Sequence, residues 1–191
     1  RNYNPLEIAK LYESSGVGAI SILTENKYFQ GSIDHLSLLK TNTNIPILRK
    51  DFIIDEYQIY ESKVYQADVI LLIVAALNDH QLKKYIEIAE DLNLDCIIEV
   101  HNEEEIRRAL KLNYPIIGIN NRNLKNLRTD LKNSANLFTN ISKDYTVIAE
   151  SGIKSSNDIK MYNELGIYNF LIGEAILRSK NYSTFITKII K

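Results

Sequence analysis

Apolar runs rich in β-branched residues recur along the chain at Ala19 to Leu23, Ile45 to Leu48, Asp68 to Val74, Asp95 to Glu99, Ile116 to Asn120, Tyr145 to Glu150 and Asn169 to Ile172. Each reads as a buried strand. Between them the apolar positions fall at helical spacing. Leu82, Tyr85, Ile86, Ala89 and Leu92 share one face, as do Ile159, Met161, Tyr162 and Leu165, which Gly166 closes as a C-cap. The chain opens on a predicted helix from Pro5 to Ser15, with Leu6, Ile8, Leu11 and Tyr12 apolar. Asn102 followed by Glu105 fits the start of a helix, and Pro46 and Pro115 stand just ahead of strands, where a missing N–H is tolerated.

Strand and helix therefore alternate. Strand ends at Thr24, Lys50, Val74, Glu99, Asn120, Glu150 and Gly173 lie about 25 residues apart, the size of one compact βα unit. Continuous apolar strands separated by helices imply a parallel sheet covered on its outside, and regular spacing without a long crossover predicts a barrel rather than a doubly wound sheet. The expected fold class is α/β, a (β/α)8 TIM barrel. The opening helix has no strand before it, although every later helix follows one. A first strand is therefore expected upstream of Arg1. Residues 1–191 then form a single (β/α) barrel domain, N-terminally truncated and holding strands two to eight.

Composition narrows the function classes. Of 191 residues, 45% are hydrophobic and 25% charged, with only 7 Gly and 3 Pro, which is the make-up of a globular protein with a packed core. Lys and Arg number 23 against 24 Asp and Glu, so nothing favours binding to nucleic acid or to an anionic membrane. Cys96 is the single cysteine; it cannot form an internal disulfide, which fits a reducing compartment, the cytoplasm by default. The longest apolar stretch, Val69 to Leu77, is too short to span a membrane, and no signal peptide opens the chain. His35, His80 and His101 are scattered without metal-ligand spacing and read as ordinary surface or helix-edge histidines, so no metal is expected. Tyrosines such as Tyr57 and Tyr60 fall at helical spacing and read as packing residues.

In a barrel of this kind the chemistry sits where strands end and the following loops begin. Lys50 ends Ile-Leu-Arg-Lys, Glu99 ends Cys-Ile-Ile-Glu, Asn120 ends Ile-Gly-Ile-Asn with Arg122 two residues on, and Glu150 ends Val-Ile-Ala-Glu. Together these strands would aim a cation, two carboxylates and an amide at one mouth. A Lys held close to a Glu can pass protons both ways near neutrality, because burial and the partner move both pKa values. Glu150-Ser151-Gly152-Ile153 and Ile172-Gly173-Glu174-Ala175 are small-residue loops at adjacent strand ends. Such loops hold a phosphate in many barrels, so a phosphorylated small-molecule substrate is expected. Glu174 opposes an anion there unless its side chain turns away. The same residues could also do no more than meet water, cap the next helix or supply tight turns.

Longer segments carry a family resemblance. Leu48-Arg49-Lys50-Asp51-Phe52-Ile53-Ile54-Asp55-Glu56-Tyr57-Gln58-Ile59 closely resembles the most distinctive segment of the indole-3-glycerol phosphate synthases. So do Ser21-Ile22-Leu23-Thr24 with Phe29-Gln30-Gly31-Ser32, Leu71 to Leu77, Gly118 to Leu124, and Ala149 to Ile153, in the same order along the chain. The resemblance implies a ribulose-phosphate-binding barrel that converts 1-(2-carboxyphenylamino)-1-deoxyribulose 5-phosphate to indole-3-glycerol phosphate, releasing CO2 and water without a cofactor. By the same resemblance Lys50 is the general acid towards the ketose oxygen and Glu99 its acid/base partner. Asn120 holds substrate hydroxyls, Arg122 anchors the anthranilate carboxylate, and Glu150 orients substrate and lysine. Ser151, Gly152, Ile153, Gly173 and Glu174 fall in the phosphate loops, and Leu71 and Phe52 in the apolar wall around the aromatic ring. The family also uses a glutamate, a second lysine and a Ser-Pro-Ser segment that this sequence begins after, so impaired activity is expected. A monomer, or a chain fused or associated with other tryptophan-pathway enzymes, fits the family. Two alternatives stand beside it: another ribulose-phosphate barrel such as phosphoribosylanthranilate isomerase, and a non-catalytic assembly or ligand-binding partner.

Overall fold

The computed structural model describes residues 3–123 and 126–190; Leu124, the last residue of the Gly118 to Leu124 motif, lies outside them. The chain divides into two units, one formed by Arg1–Leu72, Lys83–Cys96 and Asn181–Lys191, the other by Ile73–Leu82 and Ile97–Lys180. Helices and strands alternate in the order α1 (Pro5–Ser14), β1 (Ile20–Leu23), α2 (Asp34–Lys40), β2 (Ile47–Lys50), α3 (Tyr57–Val64) and β3 (Val69–Ile73). A 3-10 turn at Val74–Ala76 leads to α4 (Asp79–Asp91), β4 (Asp95–Val100), α5 (Glu103–Leu110), β5 (Ile116–Asn120) and α6 (Lys132–Phe138). The chain continues through β6 (Thr146–Glu150), α7 (Ser156–Leu165), β7 (Asn169–Leu171), α8 (Glu174–Arg178) and α9 (Tyr182–Ile190).

In the first unit β1 pairs parallel with β2, from Ile20 opposite Ile47 to Leu23 opposite Lys50, and β2 pairs parallel with β3. Ile47, Leu48, Ile70, Leu71 and Leu72 are all buried, as expected of strands covered on both faces. The strand predicted from the apolar run Ile45 to Leu48 starts two residues later, at Ile47, and ends at Lys50 as expected. Pro46 has no N–H to give, its carbonyl accepts the Ile20 N–H at 3.0 Å, and the Ile47 N–H is held by the Asp68 carboxylate at 2.8 Å. At the other end the strand continues through Arg49 and Lys50 because the Arg49 charge is matched inside the protein, which a hydrophobicity pattern does not register. Of the residues predicted to share a helical face, Leu82, Tyr85, Ile86 and Ala89 of α4 are buried, while Leu92 lies beyond the helix and is half-buried; each large buried side chain contributes roughly 1.5–3 kcal/mol.

In the second unit β4, β5, β6 and β7 pair successively and in parallel. Helix α5 begins as predicted at Asn102, whose side chain accepts the Glu105 N–H at 3.0 Å. Its first turn carries Glu103, Glu104 and Glu105 and its last Arg107 and Arg108, a distribution that opposes the helix dipole. Helix α7 starts in a Ser155/Asp158 capping box and ends at Gly166, whose φ of 99° requires glycine.

Two apolar faces are only partly covered, and the packing expectation for Tyr57 and Tyr60 needs correction. Leu165 is exposed although Ile159 and Tyr162 on the same helix are buried. In α1 only Ala9 is buried, whereas Leu6, Ile8, Leu11 and Tyr12 are half-buried. Tyr57 and Tyr60 stand in solvent at 68% and 49% exposure, next to Val64 at 74%. Helical spacing says which residues share a face of α3; it does not say that the face is covered.

Candidate functional site

In the first unit, Lys50 is half-buried at the end of β2, and its neighbours fix the loop beyond it. Strand alternation sends Arg49 to the opposite side, where its side chain is only 4% exposed. The guanidinium donates to Thr24 Oγ1 (3.1 Å), the Gln58 carbonyl (3.0 Å) and Ser62 Oγ (3.1 Å). It also lies 3.3 Å from Asp51 Oδ2 and 2.9 Å from Glu61 Oε2. Thr24 in turn donates to Asp51. Gln58 fastens the far side of the loop. Its Oε1 accepts the Ile54 and Asp55 N–H groups at 2.9 and 3.1 Å, and its Nε2 donates to the Phe52 carbonyl at 3.0 Å. The polar residues around Lys50 in the Leu48 to Ile59 segment thus hold the loop in one shape. Phe52 is partly exposed with its ring centroid 6.4 Å from that of Phe29, while Leu71 is buried.

In the second unit the register gathers three predicted residues on one face. Glu99 lies opposite Gly118, and Asn120 opposite Glu150; with a period of two, all four share a side of the sheet. Glu99, Asn120 and Glu150 are buried. Gly118 makes room for this, because a Cβ there would collide with Glu150 Oε1 and approach Ile97 Cγ2 to 2.9 Å. Asn120 Oδ1 accepts the Arg122 N–H at 2.9 Å, which turns the chain out of β5.

The loop after β6 is bent by two left-handed residues, Ser151 (φ 64°) and Gly152 (φ 83°). A Cβ at Gly152 would press on Leu131 and Thr129, so glycine serves both backbone and space. Asn121 shapes this loop and was not singled out by sequence reasoning. Its Nδ2 donates to the Ser151 carbonyl (3.0 Å) and Tyr162 Oη (2.9 Å), and its Oδ1 accepts from the Ser134 N–H and Oγ (3.0 and 2.8 Å). Ile153 is buried, so what it can offer a ligand is its main chain. Gly173 and Glu174 are exposed at the start of α8. The Glu174 carboxylate is engaged by Arg122 at 3.2 Å and by Arg178 at 2.9 Å, which neutralises the acid that opposed an anion at this loop.

His101 refines another expectation. It stands at the edge of α5, one of the two places expected, but it is not an ordinary histidine there: its side chain is 10% exposed, with Nε2 3.3 Å from Glu99 Oε1 and Nδ1 3.0 Å from Glu105 Oε2. Burial pulls its pKa down, and the two carboxylates more than reverse this, pushing it up to about 9. The signal in the sequence was the His-x-x-x-Glu spacing, which puts both groups on one turn at the head of α5. Among the described residues no cluster of His, Cys, Asp and Glu could hold a metal ion, and no helix is long and apolar enough to cross a membrane.

The family model for indole-3-glycerol phosphate synthase matches residues 1–189. An indole-3-glycerol phosphate synthase from Legionella pneumophila (strain Paris) is 47% identical over 189 residues, covering 99% of this chain and 73% of that protein. One from Acetivibrio thermocellus is 48% identical over 182 residues, covering 95% and 70%. Among solved structures, a 3-hexulose-6-phosphate synthase superposes with a TM-score of 0.79 at 13% identity, covering 97% of this chain and 91% of that one. KGPDC from Streptococcus mutans in complex with D-R5P gives a TM-score of 0.75 at 15% identity, covering 97% and 89%. These two likenesses carry the fold class alone, a TIM-barrel type with seven parallel strands among the described residues.

Proposed function

From a chain that belongs to the indole-3-glycerol phosphate synthase family, we infer a carboxy-lyase of tryptophan biosynthesis. Its substrate is 1-(2-carboxyphenylamino)-1-deoxyribulose 5-phosphate and its products are indole-3-glycerol phosphate, CO2 and water. The reaction protonates the ketose oxygen and forms a bond from the carboxyl-bearing ring carbon to the carbonyl carbon. Loss of CO2 restores the aromatic ring, and loss of the new hydroxyl as water, with a proton from the adjacent methylene carbon that was C1 of the ribulose, forms the double bond of the indole. Each step needs a proton donor or acceptor held in place.

Lys50 is the donor to the ketose oxygen, and Glu99 moves protons in closure and dehydration. Asn120 holds substrate hydroxyls, Glu150 orients the substrate, and Arg122 anchors the carboxylate. Main-chain groups at Ser151, Gly152, Ile153, Gly173 and Glu174 receive the phosphate, with Phe52 and Leu71 beside the aromatic ring. The observation that supports this reading best is the shared face of Glu99, Asn120 and Glu150, with Gly118 left without a side chain beneath Glu150. The protein acts in the cytoplasm, as a monomer or joined to other enzymes of its pathway. The test follows indole absorbance and fluorescence after adding the substrate. Lys50→Ala and Glu99→Gln should each lower kcat by about 10²-fold or more, the scale of removing a general acid or base. Full activity in either variant, or substrate binding without indole formation in the unsubstituted protein, would refute these roles.

A further inference from the structure

We propose that His101 is a positioning residue for Glu99: an imidazolium clamped between the Glu99 and Glu105 carboxylates that fixes the Glu99 side chain and holds it ionised before substrate arrives. This rests on the reading of Glu99 as the acid/base group. His101 lies two residues beyond Glu99, just past the end of β4, on the same side of the strand. The outer carboxylate is itself locked. Glu105 Oε2 accepts the His101 main-chain N–H at 2.8 Å as well as facing Nδ1 at 3.0 Å, and Oε1 accepts from Asn102 Nδ2 at 2.6 Å. The ring is therefore oriented from α5, and its free edge is aimed at Glu99 Oε1, 3.3 Å away at an ion-pair rather than a hydrogen-bond geometry.

Two acidic neighbours decide the protonation state. A neutral imidazole has one N–H, so one nitrogen would set a lone pair against a carboxylate; the doubly protonated ring turns a positive edge to each. The titratable groups facing the ring are Glu99 from β4 and Glu105 from α5. From α6, Asn133 reaches only the main chain, donating to the His101 and Asn120 carbonyls at 3.2 Å each. Burial of Glu99 disfavours a charge, and a cation at this distance restores it. The clamp thereby favours the ionised form of Glu99.

The experiment pairs a pH profile with a titration of the ring. In the unsubstituted protein the His101 imidazole, followed by NMR, should stay charged through neutral pH and titrate near 9. Glu105→Gln and Glu99→Gln should each bring that midpoint down towards the ordinary histidine value of 6.5. His101→Gln should move the acid limb of the kcat profile to higher pH with KM little changed, since a buried carboxyl that loses its cation protonates more readily. Its effect on stability has a defined sign. A raised folded-state pKa contributes stability that is complete below about 6.5 and lost as pH rises through about 9, so wild type and His101→Gln should converge at high pH. An imidazole that titrates near 6.5 in the unsubstituted protein, or a His101→Gln profile lowered evenly at all pH values, would overturn the proposal. If the unsubstituted protein makes no indole, the functional reading fails, and the NMR titration still decides the clamp. Should His101→Gln not fold, the two glutamate variants carry the test.

Discussion

Gly118 shows how much a single position can hold in place. Nothing in its backbone demands glycine; the reason is that Glu150 Oε1 lies where a Cβ would go, with Ile97 close behind. Gly118→Ala should therefore push the Glu150 carboxylate aside, costing about 1–3 kcal/mol of stability through overpacking. It should also lower kcat by up to about 10²-fold through misplacement alone. Urea unfolding and indole-forming turnover measured on the same preparation would separate the two, and a variant with full kcat would show that Glu150 is not held by this contact. The candidate polar residues at strand ends were legible in the sequence, because a Glu or Asn closing an apolar run stands out. Gly118 was legible only as a letter in a motif, since its role depends on which neighbour crosses it. His101 was misread for the same reason: one partner sits four residues along the chain, but the decisive one comes from two residues back on a buried strand.

Between elements, the Arg49 guanidinium ties β2 to Thr24 after β1, to Asp51 in the loop beyond Lys50, and to Gln58, Glu61 and Ser62 on α3. Removing it leaves the mostly buried Asp51 and Glu61 carboxylates without this cation. Arg49→Ala should thus destabilise by roughly 3–5 kcal/mol, the cost of breaking one side of a buried pair, measurable as a lower urea midpoint at unchanged m. A loss below about 1 kcal/mol would mean that the loop keeps its shape by other means. Here sequence patterning reached the strand and its end at Lys50; what it did not carry is the set of partners that lets the Arg49 charge stand inside the strand. Helix boundaries were easier to read. The Asn102 cap and the Gly166 stop are set by short-range geometry, so local sequence suffices.

At the scale of the whole molecule, the βα alternation and the parallel pairing of successive strands follow from spacing and apolar runs, which is why the fold class could be read before any coordinates. What spacing does not carry is which helix faces meet water. Tyr57, Tyr60 and Val64 line an exposed face of α3 on a chain whose positive and negative charges nearly cancel, with a net charge of -1 and a pI near 6.4. Such a molecule has little electrostatic repulsion to keep its copies apart, and rings in water give them a reason to stick. Concentrated samples should accordingly turn cloudy most readily near pH 6.4. A triple variant Tyr57→Lys, Tyr60→Glu, Val64→Lys should remain clear to higher concentration while its unfolding free energy stays within about 0.5 kcal/mol for each exposed site. The stripe on α3 thus governs shelf life and handling, and it can be redrawn without touching the chemistry.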